Sequence, residues 1–259
     1  MSKNTINRIG ERNYNNFGSE MVIVEYRGAK DIDVYFPEYN WIAKRVRYDN
    51  FKNGAVKSPY ERSVYGIGYL GEGKYNAKEN GKHTRVYYTW HDMLKRCYDE
   101  KFHEKYSTYK DCKVYEEWLN YQKFAEWYYN NYYEVNNEVM CLDKDILNKG
   151  NKIYSPDNCI FVPNTINVLF VKCDGKRGES VIGATPFKGK YVVQCCLINP
   201  ETGKSKQEYL GRYYTEIEAF QVYKYYKEKN IKEVADYFKD KIPVKLYNAL
   251  YEYVVEITD

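Results

Sequence analysis

The chain has 259 residues, with 40 Lys and Arg against 36 Asp and Glu, a formal net charge of +4. Charged residues at 29% and apolar residues at 44% fit a globular protein and exclude wholesale disorder. No apolar run approaches the roughly 20 residues of a membrane helix, so no membrane partner is expected.

The opening MSKNTINRIGERNYNN has no apolar stretch after its charges, and the seven cysteines show no C-x-x-C spacing. Together these predict reduced thiols in a cytoplasm and no secretory leader. The charge is uneven: residues 1–82 sum to +4, 83–170 to −2 and 175–230 to +4. A positive excess confined to two segments is expected of a surface that meets phosphates.

Residues 21–70 are strand-like. Met21–Tyr26, Asp31–Phe36 and Trp41–Tyr48 are short and rich in Val, Ile and Tyr, with Arg27-Gly28, Pro37 and Asn53-Gly54 as turns. They predict a small antiparallel sheet or barrel. Lys44, Arg45 and Arg47 on its last strand are either a nucleic-acid contact or a charged guard on an edge. The glycine-rich stretch 66–81 reads as a linker or a substrate-facing loop.

Helical periodicity takes over from residue 83. Trp90, Met93, Leu94 and Cys97 share one stripe over Val86–Tyr98, as do Trp118, Leu119, Phe124 and Trp127 over Tyr115–Tyr129. Residues 139–170 then compress a strand ending in Asp143, an Asn/Gly/Lys loop, a second strand beginning at Asn158 and a helix opened by Pro163. Val181–Leu197 and Gln207–Tyr214 read as strands. Thr215 with Glu218 three residues on marks a helix start, and 231–255 reads as further helix broken before Pro243. The whole predicts an α+β chain of three segments: a β domain with its linker (1–82), a helical segment with a strand–loop–strand–helix unit (83–172) and a C-terminal sheet with helices (175–259).

Two sets of residues carry a family resemblance. The first is Trp90, Met93, Arg96-Cys97-Tyr98, Val114, Trp118, Phe124, Leu142-Asp143-Lys144-Asp145-Ile146, Tyr154-Ser155-Pro156, Asn158-Cys159 and Asn167. It resembles bacteriophage proteins related to HNH homing endonucleases. The second is Ile182-Gly183-Ala184, Gly189 through Gln194, Tyr209-Leu210-Gly211-Arg212-Tyr213 and Thr215 with Ala219, Phe220 and Tyr223. It resembles the APETALA/ethylene-response-factor type DNA-binding domain. Together the resemblances cover roughly residues 83 to 255.

The first resemblance implies a ββα-metal unit, with Asp143 and Asn167 as ligands of Mg²⁺. Asn158 and Asp145 would have structural roles, Asn158 orienting the first strand across the loop. Such an ion is held by few protein oxygens and completes its shell with water and the scissile phosphate, while an imidazole takes a proton from water. Here Lys144 stands where active relatives carry that histidine. A lysine is a cation at neutral pH, and lowering its pKa by three units costs about 4 kcal/mol. Lys144 therefore serves only as a cation for phosphate unless deeply buried. His91, on the Trp90 helix, is the histidine that tertiary folding would have to bring in as the base.

The second resemblance implies three strands whose outer face enters the major groove of double-stranded DNA. Arg177, Lys188, Lys190, Gln194, Lys204, Lys206 and Arg212 are its candidate contacts, with Tyr191 and Tyr213 packing and donating to phosphate. No small-molecule substrate is expected. Two functions stay open: a phage-encoded endonuclease nicking or cutting duplex DNA with Mg²⁺, or a catalytically inactive phage factor. The second would bind DNA or a host or phage protein in an infected bacterial cell, as a regulator or an inhibitor of host defence.

Overall fold

The computed structural model describes residues 7–135, 137–171 and 180–259. It is a mixed α and β structure with several small antiparallel sheets, and divides into two compact units, 1–130 and 131–259.

The first unit opens with a four-stranded antiparallel meander, β1 (Arg12–Tyr14), β2 (Glu20–Gly28), β3 (Asp31–Phe36) and β4 (Trp41–Val46). Alternation places Met21, Ile23, Ile32, Val34, Phe36 and Ala43 on one face, where they bury with Phe51 of α1 (Tyr48–Lys52) and Val56. On β4 only Lys44 and Arg45 remain exposed cations without an ion pair among the described residues. Arg45 sits at φ +55°, its N–H donating to Asp33, and Arg47 pairs with Asp49 at 2.7 Å.

The glycine-rich stretch is not a linker. Its middle glycines lie packed inside the first unit, where an added side chain would collide with neighbours distant in the chain. A Cβ at Gly68 would stand 2.4 Å from Leu94, at Gly71 2.4 Å from Asn120 and at Gly73 2.3 Å from Gln122. Tyr69 and Tyr75 fasten it: Tyr69 N–H donates to Leu119 O, and Gln122 both accepts from Tyr75 N–H and donates to Tyr75 O. A hairpin follows, β5 (Lys78–Glu79) and β6 (Lys82–His83), then α2 (Arg85–Tyr98) and α3 (Glu100–Lys105). Thr84 caps α2 by accepting from Tyr87 N–H. After β7 (Lys113–Val114), the aromatic stripe predicted as one helix is two elements. A 3₁₀ turn over Glu116–Leu119 is separated at Asn120 from α4 (Tyr121–Asn131).

The second unit contains the strand–loop–strand–helix segment: β8 (Met140–Asp143), β9 (Ile153–Tyr154), β10 (Ile160–Pro163) and α5 (Asn164–Asn167). β8 and β10 are antiparallel, with Asp143 opposite Ile160. Next come β11 (Ala184–Phe187), β12 (Lys190–Ile198) and β13 (Ser205–Tyr213) in one antiparallel sheet, then α6 (Glu216–Phe238) and α7 (Val244–Tyr251). The predicted cap is present in full, Thr215 and Glu218 bonding each other's backbone N–H. The inner face of the sheet buries Ala184, Val193 and Cys195 against Ala219, Phe220 and Tyr223 of α6.

The division between the units falls within the segment 83–172, whose strand–loop–strand–helix part lies in the second unit with the C-terminal sheet. Lys149 of the β8–β9 loop bonds Val254 O at 2.8 Å and Asp259 at 2.7 Å, and Phe170 meets Tyr253 edge to face at 4.8 Å. No helix among the described residues is long and apolar enough to cross a membrane.

Candidate nucleic-acid interface

The loop between β8 and β10 is held by three asparagines. Asn148 donates to Asn158 Oδ1 at 2.9 Å, Asn158 donates to Asn151 Oδ1 at 3.2 Å, and Asn151 donates to the carbonyls of Lys144 and Ile153 at 2.7 and 2.8 Å. Asn158 thus ties the loop to the residue following the first strand, through Asn151, a residue the sequence reading did not single out.

Asp143 closes the tight turn after β8. Its Oδ1 accepts from the N–H groups of Asp145 and Ile146 at 2.9 and 2.7 Å. Burial raises the Asp143 carboxyl pKa above the usual range and the Asp145 carboxylate adds to this, against the backbone donors and the Lys144 ammonium. Lys144 is 7% exposed, with Nζ 3.1 Å from Asp145 Oδ2 and 5.9 Å from the Tyr154 ring centroid.

Asn167 ends α5, whose start is capped by Glu138 accepting from Thr165 N–H and hydroxyl. Among the described residues, no group of three His, Cys, Asp or Glu side chains is placed to hold a metal ion. Of the two expected ligands, Asp143 has Oδ1 engaged in its turn, and Asn167 lies at the end of α5. His91 belongs to the first unit, where Nε2 lies 3.3 Å from the Tyr65 hydroxyl and Nδ1 3.6 Å from Asp92.

The outer face of the three-stranded sheet is built by register. Phe187 pairs with Lys190, Thr185 with Val192, Val192 with Arg212 and Gln194 with Tyr209, so these side chains share one face. Arg212 and Tyr209 would lie on opposite faces of a regular strand. A bulge between Val193 and Gln194, opposite Leu210-Gly211, brings them to the same side. Gly211 adopts φ +119°, and the Tyr213 hydroxyl folds back over it to donate to Leu210 O at 2.9 Å.

The cations of this face rest on rings. The Arg212 guanidinium lies 5.1 Å from the Phe187 centroid, Lys188 Nζ 5.5 Å from the same ring, and Lys190 Nζ 4.3 Å from Tyr214. None of the three is in an ion pair among the described residues. Gln194 and Tyr209 are exposed beside them.

Other candidates are placed differently. Lys188 and Gly189, at φ +48° and +73°, form the two-residue β11–β12 turn. Lys204 ends the β12–β13 turn, donating from its N–H to Thr202 and accepting from Asn199, while Lys206 pairs with Glu208 at 2.7 Å. Tyr191 and Tyr213, expected both to pack and to donate to phosphate, do pack on the helix side with the core, and the Tyr213 hydroxyl is taken by Leu210 O. Phe187, Tyr209 and Tyr214 are the exposed aromatics in and next to the sheet strands among the described residues. Arg177 lies outside the described residues.

A groove of about 710 Å³ in the same unit is lined by Glu134, Glu138, Glu201 and Asp240, with Lys241 its one lining cation. Its carboxylates make it unfavourable for phosphate. Compared with known proteins, the chain matches no family model, no curated protein and no solved structure.

Proposed function

We propose that this protein binds double-stranded DNA through the outer face of the β11–β13 sheet. The observation that carries this reading is the in-register row of Lys190, Arg212, Gln194 and Tyr209, with Phe187 and Lys188 at its edge and no carboxylate on the outward positions. A twisted β surface fits the major groove, where Arg pairs with guanine edges and Gln with adenine edges, while Lys neutralises phosphates. The groove of acidic residues elsewhere in the unit supports the same orientation.

On this reading the strand–loop–strand–helix segment is an HNH-like scaffold that has lost efficient cleavage. Support comes from the Lys144 ammonium, held 3.1 Å from the Asp145 carboxylate where a neutral imidazole would be needed, and from Asp143, whose Oδ1 serves the turn. The competing reading keeps nicking activity, with Asp143 and Asn167 as donors to Mg²⁺. The ion would supply charge stabilisation at the scissile phosphate.

Fluorescence anisotropy of a labelled duplex across a NaCl series tests binding. Neutralising about five phosphates gives a log–log slope of about −4 to −5, and Lys190→Ala with Arg212→Ala makes it shallower. Salt-insensitive binding, or none, overturns the reading. Incubation of supercoiled plasmid with Mg²⁺ or Mn²⁺ tests the second half: nicking abolished by Asp143→Ala restores the endonuclease reading.

A further inference from the structure

The β5–β6 hairpin of the first unit stands out among the remaining charged surfaces. Residues 74–85 hold Lys74, Lys78, Lys82 and Arg85 against a single acid, Glu79. The base of the hairpin is fixed. Thr84 N–H donates to Ala77 O at 3.1 Å, the Tyr121 hydroxyl donates to Asn76 O at 2.9 Å, and Gln122 clasps both backbone groups of Tyr75.

The tip is open to solvent: residues 78–82 are all exposed, with Asn80 and Gly81 at φ +49° and +78° in the turn. Lys78 pairs across the hairpin with His83, and Glu79 with Lys82. Side chains of successive pairs point to opposite faces, so Lys78 and Lys82 project from the two sides of the ribbon. Neither is in an ion pair among the described residues. Aromatic rings flank the base: His83 stacks on Tyr87 at 3.9 Å, Tyr75 on Tyr129 at 5.2 Å, and Lys74 lies over Tyr75 at 5.0 Å.

We infer that this hairpin is a second DNA contact, inserted as a two-stranded ribbon into a groove of the duplex. A groove has two walls, each a line of phosphates, and the major groove is wide enough for a two-stranded ribbon. A ribbon carrying one cation on each face meets both walls, whereas a guard against strand pairing needs its charge only along the edge. The anchored base makes the tip preorganised, and Lys74 lies at the root for a flanking phosphate.

The inference rests on the duplex-binding reading, and its test separates the two. The full chain and Lys78→Gln/Lys82→Gln are titrated with a labelled 30-base-pair duplex over a NaCl series, beside Lys190→Ala/Arg212→Ala. Thermal melts confirm that the variants are folded, as expected for exposed positions. The hairpin variant is expected to lose about two from the magnitude of the salt slope and to bind roughly tenfold more weakly near 0.1 M salt. If the wild type binds and the sheet variant shallows the slope while the hairpin variant matches wild type, the hairpin proposal alone falls. If the wild type shows no salt-dependent binding, both fall. A hairpin variant weakened equally on single-stranded DNA would also overturn insertion into a groove.

Discussion

The Asn151 side-chain amide donates to the backbone carbonyl of Lys144 at 2.7 Å, so the residue that follows β8 is held through its main chain by the loop. Asn158 completes the clasp by donating to Asn151 Oδ1. Asn151→Ala removes an acceptor and two donor contacts and is expected to destabilise the second unit by about 1–3 kcal/mol. Urea denaturation followed by tryptophan and tyrosine fluorescence measures this. A midpoint equal to wild type would show the clasp to be idle.

Asp143 gives a contrast between two substitutions. Asp143→Ala loses the oxygen that accepts both turn N–H groups and is expected to destabilise by about 1–2 kcal/mol. Asp143→Asn keeps an oxygen acceptor and removes a charge that burial disfavours, so its stability at pH 7 should equal or exceed that of wild type. The sign with pH follows from the raised folded-state pKa. The ionised form is less favourable folded than unfolded, a penalty present in full above the folded pKa and fading as pH falls towards the unfolded value. The advantage of Asp143→Asn should therefore shrink on acidification, and denaturation series at two pH values check this.

Gly183 lies against the ring of Tyr223. An added Cβ would stand 2.1 Å from Tyr223 Cγ, and φ is +79°. Both clash and backbone oppose Gly183→Ala, which is expected to lower stability by at least about 2 kcal/mol. The melting temperature reads this out. Gly189→Ala, with nothing near its Cβ but φ +73°, should carry only the backbone part.

The adjacent thiols Cys195 and Cys196 should react very differently. Cys195 is fully buried, and burial pushes its thiol up to about 11 although the Lys227 ammonium pulls it down. Cys196 is exposed on the opposite face of β12. Alkylation at pH 8 followed by peptide mass spectrometry should label Cys196 well before Cys195, because the thiolate is the nucleophile. Equal labelling would contradict the assignment of sheet faces.

Residue period and turn chemistry made much of the fold legible. Alternating Val and Ile over 21–36, the apolar stripe of α2 and the Thr215–Glu218 box act through neighbours in the chain, and each appears in the structure within a few residues of its expected place. The break at Asn120 was not legible, since the aromatic stripe continues on both sides of it. The glycine-rich stretch misled for a related reason. Glycine has the same local signature whether it frees a linker or makes room for a packed helix, and only Leu94, Asn120 and Gln122 distinguish the two.

The candidate site divides along the same line. Composition and spacing determined that cations, an amide and aromatics gather around 188–213. Tertiary structure decided which of them share a surface. The bulge opposite Leu210-Gly211 shifts the strand by one residue, turning Tyr209 outward with Arg212 and leaving Tyr191 and Tyr213 against the helix. A one-residue slip reverses the face of every side chain beyond it, and the pairing partner that fixes the slip lies on another strand.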